Sequence, residues 1–330
     1  MNLPTLTVVV PNFNHAHYLP DCLQALLDQS VPPTEIIVID DASTDNSVAV
    51  IESFTKKHPI IRLYRNEQNQ GVLHGMNRSL ELARGEFLYF AAADDKVLPG
   101  LFEKSLHILA EHPQSGLCCS VGEWWDPEAG TYWRSGEDFT DHPCHVPPEQ
   151  LVKLIRRDQL RFAGHTVVLR RAALVEAGKF ILDLKWHTDW FAMCVVSFRH
   201  GICFVPEPLA VMRVHHTTYS AAGMRDRAAQ REVLRQILEL LCSAEYQDVT
   251  PCFKRSGVLA LFEWPMFDLI VFHSKYRRLD TPIYFVKVVW RIFKTGIRSL
   301  LPAAAEDWYH RVRGFKHRFP AVRGSDSTTV

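Results

Sequence analysis

Two pairs of adjacent acids, Asp40-Asp41 and Asp94-Asp95, stand just after apolar, strand-like runs. Neighbouring carboxylates repel, so each pair costs stability unless a cation or hydrogen-bond donors compensate. A divalent ion bridged to a diphosphate is a natural compensator. Mg²⁺ and Mn²⁺ take hard oxygen ligands, one or two from protein carboxylates and the rest from phosphate and water. The plainer alternative is that strand-end acids only cap the helices that follow, and it stays open for either pair alone. It weakens if both pairs lie at one sheet edge.

The surrounding pattern puts them there. Residues 6–10 and 35–39 are β-branched apolar runs of the kind buried on both faces of a parallel sheet. Residues 60–65 and 86–91 read as further strands. Between them, residues 18–29 carry Leu19, Cys22, Leu23, Leu26 and Leu27 at helical spacing, ended by Pro32-Pro33. Ser43 and Asp45 stand where a cap is needed before a helix over 47–57, and residues 71–83 and 101–112 read as helices. Strand alternating with helix implies a mostly parallel sheet with right-handed crossovers, whose ligands bind beyond the carboxyl ends of the strands. Asn12 to Asn14, Asp40-Asp41 and Asp94-Asp95 all fall at that edge.

Further along, residues 117–121 and 166–170 read as strands, and 149–158, 171–177 and 186–199 as helices. Residues 202–205 and 210–213 read as two short strands, and the chain beyond about 220 as almost wholly helical. Trp124, Trp125 and Trp133 could stack on a sugar face or pack on one another.

Several classes are excluded or disfavoured. The first turn, VVVPNFNHAHYL, has no glycine, so neither a dinucleotide-binding GxGxxG nor a Walker loop is present. It also lacks the glycine-rich basic loop of a nucleotidyltransferase. A formal net charge of +0 gives the whole chain no electrostatic footprint for nucleic acid. Eight cysteines without a CxxC pair argue against a zinc site or disulfide framework and fit a reducing, cytoplasmic setting, with Cys118 and Cys119 read as buried strand residues. The N-terminus lacks the basic and apolar regions of a secretory signal. No apolar run reaches the roughly 18–20 residues that span a bilayer. The nearest, 257–272, is broken by Glu263, Pro265 and Asp268 and reads as a buried helical region.

Four ordered segments resemble the inverting family 2 glycosyltransferases of the GT-A (nucleotide-diphospho-sugar transferase) fold. They are VVVPNFNHAHYLPDCLQALLDQS, EIIVIDDASTDNS, GEFLYFAAADD and HTDWFAMCVVSFRHGICFVPEPLAVMRVHHTTYS. The resemblance runs from about residue 6 to 220. It implies a catalytic domain over 1–220, which leaves the helical region read over 221–330 as a separate C-terminal part. It implies that Pro11, Phe13 and Asn14 lie against the nucleotide base and that Asp41, with Asp40 beside it, reads the base or ribose. Asn69, Gly71 and Asn77 would flank the nucleotide. Asp94 matches the last acid of an Asp-x-Asp metal motif, so the metal set would be Asp94, Asp95 and His215, with Mg²⁺ or Mn²⁺. Asp189 matches the catalytic base, although read alone it is an ordinary first-turn helix acid. His165, Thr188 and Trp190 would be donor-sugar or acceptor contacts. Two positions depart from the pattern: Ala92 replaces the first acid of the metal motif, and Thr188 replaces the Glu that usually precedes the base.

The implied activity is transfer of a sugar from a nucleotide-diphosphate donor to an acceptor hydroxyl with inversion, in cell-surface polysaccharide or glycolipid synthesis. The alternative kept open by Ala92 is a nucleotide-sugar-binding module without turnover. The C-terminal third lies outside the resemblance. Thr281-Pro282 has the cap-then-proline form of a helix start. Residues 283–301 are then amphipathic, and 275–323 hold twelve basic and three acidic residues. That reads either as a peripheral element for anionic membrane, bringing the enzyme to a lipid-linked acceptor, or as a helix packed with its basic face in water.

Overall fold

The computed structural model describes residues 3–128, 130–135, 139–214 and 219–300. The first half alternates as expected: β1 (Leu6–Asn12), α1 (Leu19–Leu27), β2 (Glu35–Asp40), α2 (Ser47–Thr55), β3 (Ile61–Arg65), α3 (Val72–Leu82) and β4 (Phe87–Phe90). Then come β5 (Lys96–Val97), α4 (Leu101–Glu111), β6 (Leu117–Asp126), β7 (Thr131–Ser135), β8 (Cys144–Val146), α5 (Pro148–Arg156), β9 (Val168–Arg170) and α6 (Arg171–Glu176). The remainder is α7 (Thr188–His200), β10 (Ile202–Arg213), α8 (Tyr219–Arg225), α9 (Arg227–Cys242), α10 (Thr250–Ser256), α11 (Glu263–Phe272) and α12 (Pro282–Leu300).

One sheet organises the chain, in the order β3-β2-β1-β4-β9-β6-β10-β5, with β7 on β6 and β8 on β10. Strands β1 to β4 pair in parallel, as does β6 with β10, while β9 joins the two blocks antiparallel to both β4 and β6. The apolar runs explain the parallel block. Alternate residues of β2 enter different cores, Ile36 and Val38 with α1 and α4, Ile37 and Ile39 with α3 and α7. The Ile37 side also takes in Leu234, Ile237, Phe253, Met266 and Val288, so the helices after 220 complete a core begun by the sheet.

Several elements differ from the pattern read in the sequence: β5, β7 and β8 are strands beyond those read there, and β6 runs on to Asp126. Residues 202–213 form one strand rather than two, because shifts of register between Val205 and Ala210 absorb the Pro206 and Pro208 interruption. α7 starts at Thr188, since Lys185 adopts φ 45°, ψ −120°, which no helix continues through. The 257–272 segment breaks at Glu263 (φ 47°). It buries Leu259, Met266 and Ile270 but exposes Leu261, Trp264 and Phe272.

Candidate active site

The carboxyl ends of β1 and β2 open into a cavity of about 480 Å³, a size suited to a small-molecule ligand. Its walls include Pro11, Phe13, Asp41, Asn69, Gly71 and Lys185. Phe13 is 42% exposed there, an apolar surface open to the cavity. Asp41 shapes the opposite wall. One of its oxygens accepts hydrogen bonds from Asn66 Nδ2 (2.8 Å) and the Gln70 amide (2.9 Å), and the other from the Gly71 amide (2.7 Å). Gly71 can turn its N–H inward because φ is +87°, a conformation that costs glycine no steric strain. The 66–71 loop is therefore tied to the strand end that carries the acid.

The other residues expected around the nucleotide brace loops. Asp40 is 1% exposed and accepts from Asn12 Nδ2 (2.8 Å) and the Ser43 amide (3.1 Å). Asn14, at φ 58°, accepts from the Thr44 and Asp45 amides (2.8 and 3.2 Å). Asn77 exchanges two hydrogen bonds with the Phe180 backbone, at 2.8 and 3.1 Å. That bond pair fastens α3 to the segment leading to Leu182 and Lys185, both in the cavity wall.

Asp94 and Asp95 sit in the turn between β4 and β5. The Asp95 carboxyl is raised to about 7: burial and then the Asp94 charge push it up, against the Arg213 amide, which donates to Oδ1 at 2.9 Å, and the Arg213 charge. Among the described residues no group of three His, Cys, Asp or Glu side chains could hold a metal, and His215 lies outside the described residues. Two adjacent carboxylates fit an ion that completes its shell with diphosphate oxygens and water, not a cage made by protein alone.

Asp189 lies in the first turn of α7, exposed to solvent, with Oδ1 accepting the Trp190 amide at 2.7 Å. The protein packed around it raises its carboxyl above the usual 3.8, and the Trp190 hydrogen bond works against the rise. Gly164 stands beside it: a Cβ there would meet Asp189 Oδ2 at 3.4 Å.

His165, next in the chain, is 9% exposed. It packs edge-on against Trp124 at 5.2 Å, and its carbonyl accepts the Tyr89 hydroxyl at 2.8 Å. Burial pulls its pKa down to about 4, against hydrogen bonds to the Glu123 and Ala210 backbone, so the ring is neutral near pH 7. Its Nε2 has no hydrogen-bond partner. Thr188 is 2% exposed, and Trp190 packs against Phe253 and Phe262. Trp124 stacks on Trp133, and Trp125 on Tyr132, across the β6–β7 hairpin.

The sequence reading missed Lys185 and Gln230. Lys185 brings a cation to the cavity wall on a strained backbone. Gln230, from α9, accepts the Trp186 indole N–H at 2.7 Å and lies 3.0 Å from His187 Nε2, holding the turn that precedes Asp189. No periodicity or motif marks either residue.

A model described as glycosyl transferase family 2 matches residues 7–178. An uncharacterized protein of Mycobacterium tuberculosis, MT1568, is 29% identical over 239 residues, 70% of this chain and 73% of that protein. The putative teichuronic acid biosynthesis glycosyltransferase TuaG of Bacillus subtilis is 33% identical over 108 residues, 33% of this chain and 43% of TuaG. Among solved structures, S. aureus TarS 1-349 in complex with UDP-GlcNAc has TM-score 0.63 at 18% identity, covering 83% of this chain and 79% of that one. The mannosyltransferase PcManGT of Pyrobaculum calidifontis, in complex with GDP-Man and Mn2+, has TM-score 0.60 at 17% identity, covering 93% and 84%. At such identities the likeness to these structures is one of fold.

Proposed function

The chain belongs to glycosyl transferase family 2 and has the GT-A fold, and from that premise we propose that it transfers a sugar from a nucleotide-diphosphate donor to an acceptor hydroxyl with inversion. The observation that carries this reading is Asp189, a solvent-reachable carboxylate four residues beyond the cavity-lining Lys185. The base and ribose lie in the cavity, against Pro11 and Phe13 and beneath the loop that Asp41 holds. Asp189 takes the proton of the acceptor hydroxyl, and that oxygen bonds to the anomeric carbon. The bond from that carbon to the diphosphate breaks on the opposite face, and its electron pair leaves with the nucleoside diphosphate. One displacement inverts the centre. Asp94 and Asp95 would hold a Mg²⁺ or Mn²⁺ ion, which stabilises charge on the leaving diphosphate when bound.

The teichuronic acid biosynthesis in TuaG's name supports cell-surface polysaccharide synthesis as the setting. The proposed acceptor is a glycan or lipid-linked sugar, with the enzyme on the inner face of the membrane. We keep the division at 220, with catalysis upstream. Ala92, exposed where the metal motif would have its first acid, favours a second reading, a donor-binding module without turnover.

The test is nucleotide release from a panel of donors in Mg²⁺ or Mn²⁺, with and without a chelator, alongside donor binding. We expect release by the native chain, loss on chelation, and a fall of about 10²–10⁴-fold in kcat for Asp189→Asn with donor affinity kept. Donor binding with no release under any condition would leave the module reading standing.

A further inference from the structure

α12 is inverted relative to a helix that faces water. The charged side chains of its first three turns, Lys287 and Arg291, point into the protein. Lys287 is 7% exposed and donates to the Ile155 carbonyl at 2.7 Å, with Asp158 Oδ1 at 3.1 Å. Arg291 reaches the same Asp158 oxygen at 3.2 Å. Tyr284 and Val288 seal that side. The expectation of a solvated basic face is therefore corrected for these two residues: Asp158 draws them inward.

The outward side is apolar. Val286, Val289, Trp290 and Phe293 are 65%, 63%, 51% and 54% exposed. Their spacing of i, i+3, i+4 and i+7 makes a single stripe. Trp264 of α11, 57% exposed, stacks on Phe267, whose ring meets Phe285 edge-on, so α11 lies beside α12 in the same region. An apolar stripe of this kind on the outside of a folded chain marks a surface that something covers.

We propose that this face rests on an anionic lipid surface, with α12 lying in the plane of the interface. Two tryptophans, a phenylalanine and valines on one face have the make-up of an interfacial helix. Charge points to the same occupant. From the end of the stripe to Arg323 the sequence holds Lys294, Arg298, Arg311, Arg313, Lys316, Arg318 and Arg323 against Glu306 and Asp307. A basic segment adjoining an apolar stripe suits anionic headgroups over acyl chains. Among the described residues no helix is long and apolar enough to cross a membrane, which fits a helix lying on a bilayer. The inference does not rest on sugar transfer, because a module without turnover would dock in the same way.

Flotation of the full chain with vesicles of phosphatidylcholine, alone or mixed with phosphatidylglycerol, tests it, at low and at high salt. The variant carries Val286→Asn, Val289→Asn, Trp290→Ala and Phe293→Asn together. We expect the native chain to float with the anionic vesicles, more weakly at high salt. The variant should bind them about tenfold less or worse, while keeping its melting temperature and its donor binding. Val289→Leu, which keeps the stripe apolar, should float like the native chain. Failure of the native chain to float with anionic vesicles at low salt overturns the proposal, and so does flotation unchanged in the variant. A native dimer that the same substitutions convert to monomer, with neither form floating, would assign the face to a second copy of the chain instead.

Discussion

Aspartate and asparagine at strand ends have two uses here, and their directions separate the uses. Asp41 faces the cavity, with both oxygens committed to the 66–71 loop, whereas Asp40 turns into the protein beside it. Pro11, Phe13, Asn69 and Gly71 line the cavity and were legible through the resemblance to the family's loops. Asn14 and Asn77 carry the same chemistry but brace backbone, and a sequence does not say which way an amide points. Lys185 was illegible, since its importance comes from a backbone conformation. At φ 45°, ψ −120° a lysine is strained by roughly 1–3 kcal/mol, and glycine adopts that region freely. Lys185→Gly should therefore raise the melting temperature, by an amount equivalent to about 1 kcal/mol, while weakening donor binding through loss of the cation. Lys185→Arg, which keeps both charge and strain, should do neither. Differential scanning with and without donor separates the two effects.

At the scale of elements, strands buried on both faces announce themselves as continuous apolar runs, and β1, β2 and β4 lie within two residues of their expected ends. β10 did not, because two prolines look like a break where a bulge carries the strand past them. α12 was legible as amphipathic, but a helical wheel does not say which side faces inward, and Asp158 decides that. The start of α7 depends on a contact between distant elements. Gln230 on α9 satisfies both the Trp186 indole and the buried His187 ring. Gln230→Leu would leave buried polar atoms unpaired, at a cost of about 1–3 kcal/mol. Because those atoms precede Asp189 directly, kcat should fall more than donor affinity, whereas a purely structural role would lower the melting temperature and leave the ratio of kcat to KM effects flat. Gln230→Glu, which keeps an acceptor for the indole, should restore part of the rate.

For the molecule as a whole, acid stability is tied to two buried histidines. Burial holds His165 and His187 at about 4, against 6.5 for a free imidazole. A depressed pKa favours the folded state while the ring is neutral. Its contribution is intact above about 6.5 and is lost as pH falls through about 4. Each ring accounts for at most about 3 kcal/mol of that loss. Denaturant midpoints should therefore drop between pH 6.5 and 4, and the drop should shrink by about half in His187→Gln. The shared core has another consequence, one of timing. The sheet face bearing Ile37 and Ile39 is completed by residues as late as Val288. At about 5–20 residues per second, a ribosome takes roughly 12–50 seconds to travel from one to the other. Over that interval the nascent chain holds a finished strand pattern beside an unfinished apolar wall, which makes it a client for whatever shields hydrophobic surface at the ribosomal exit.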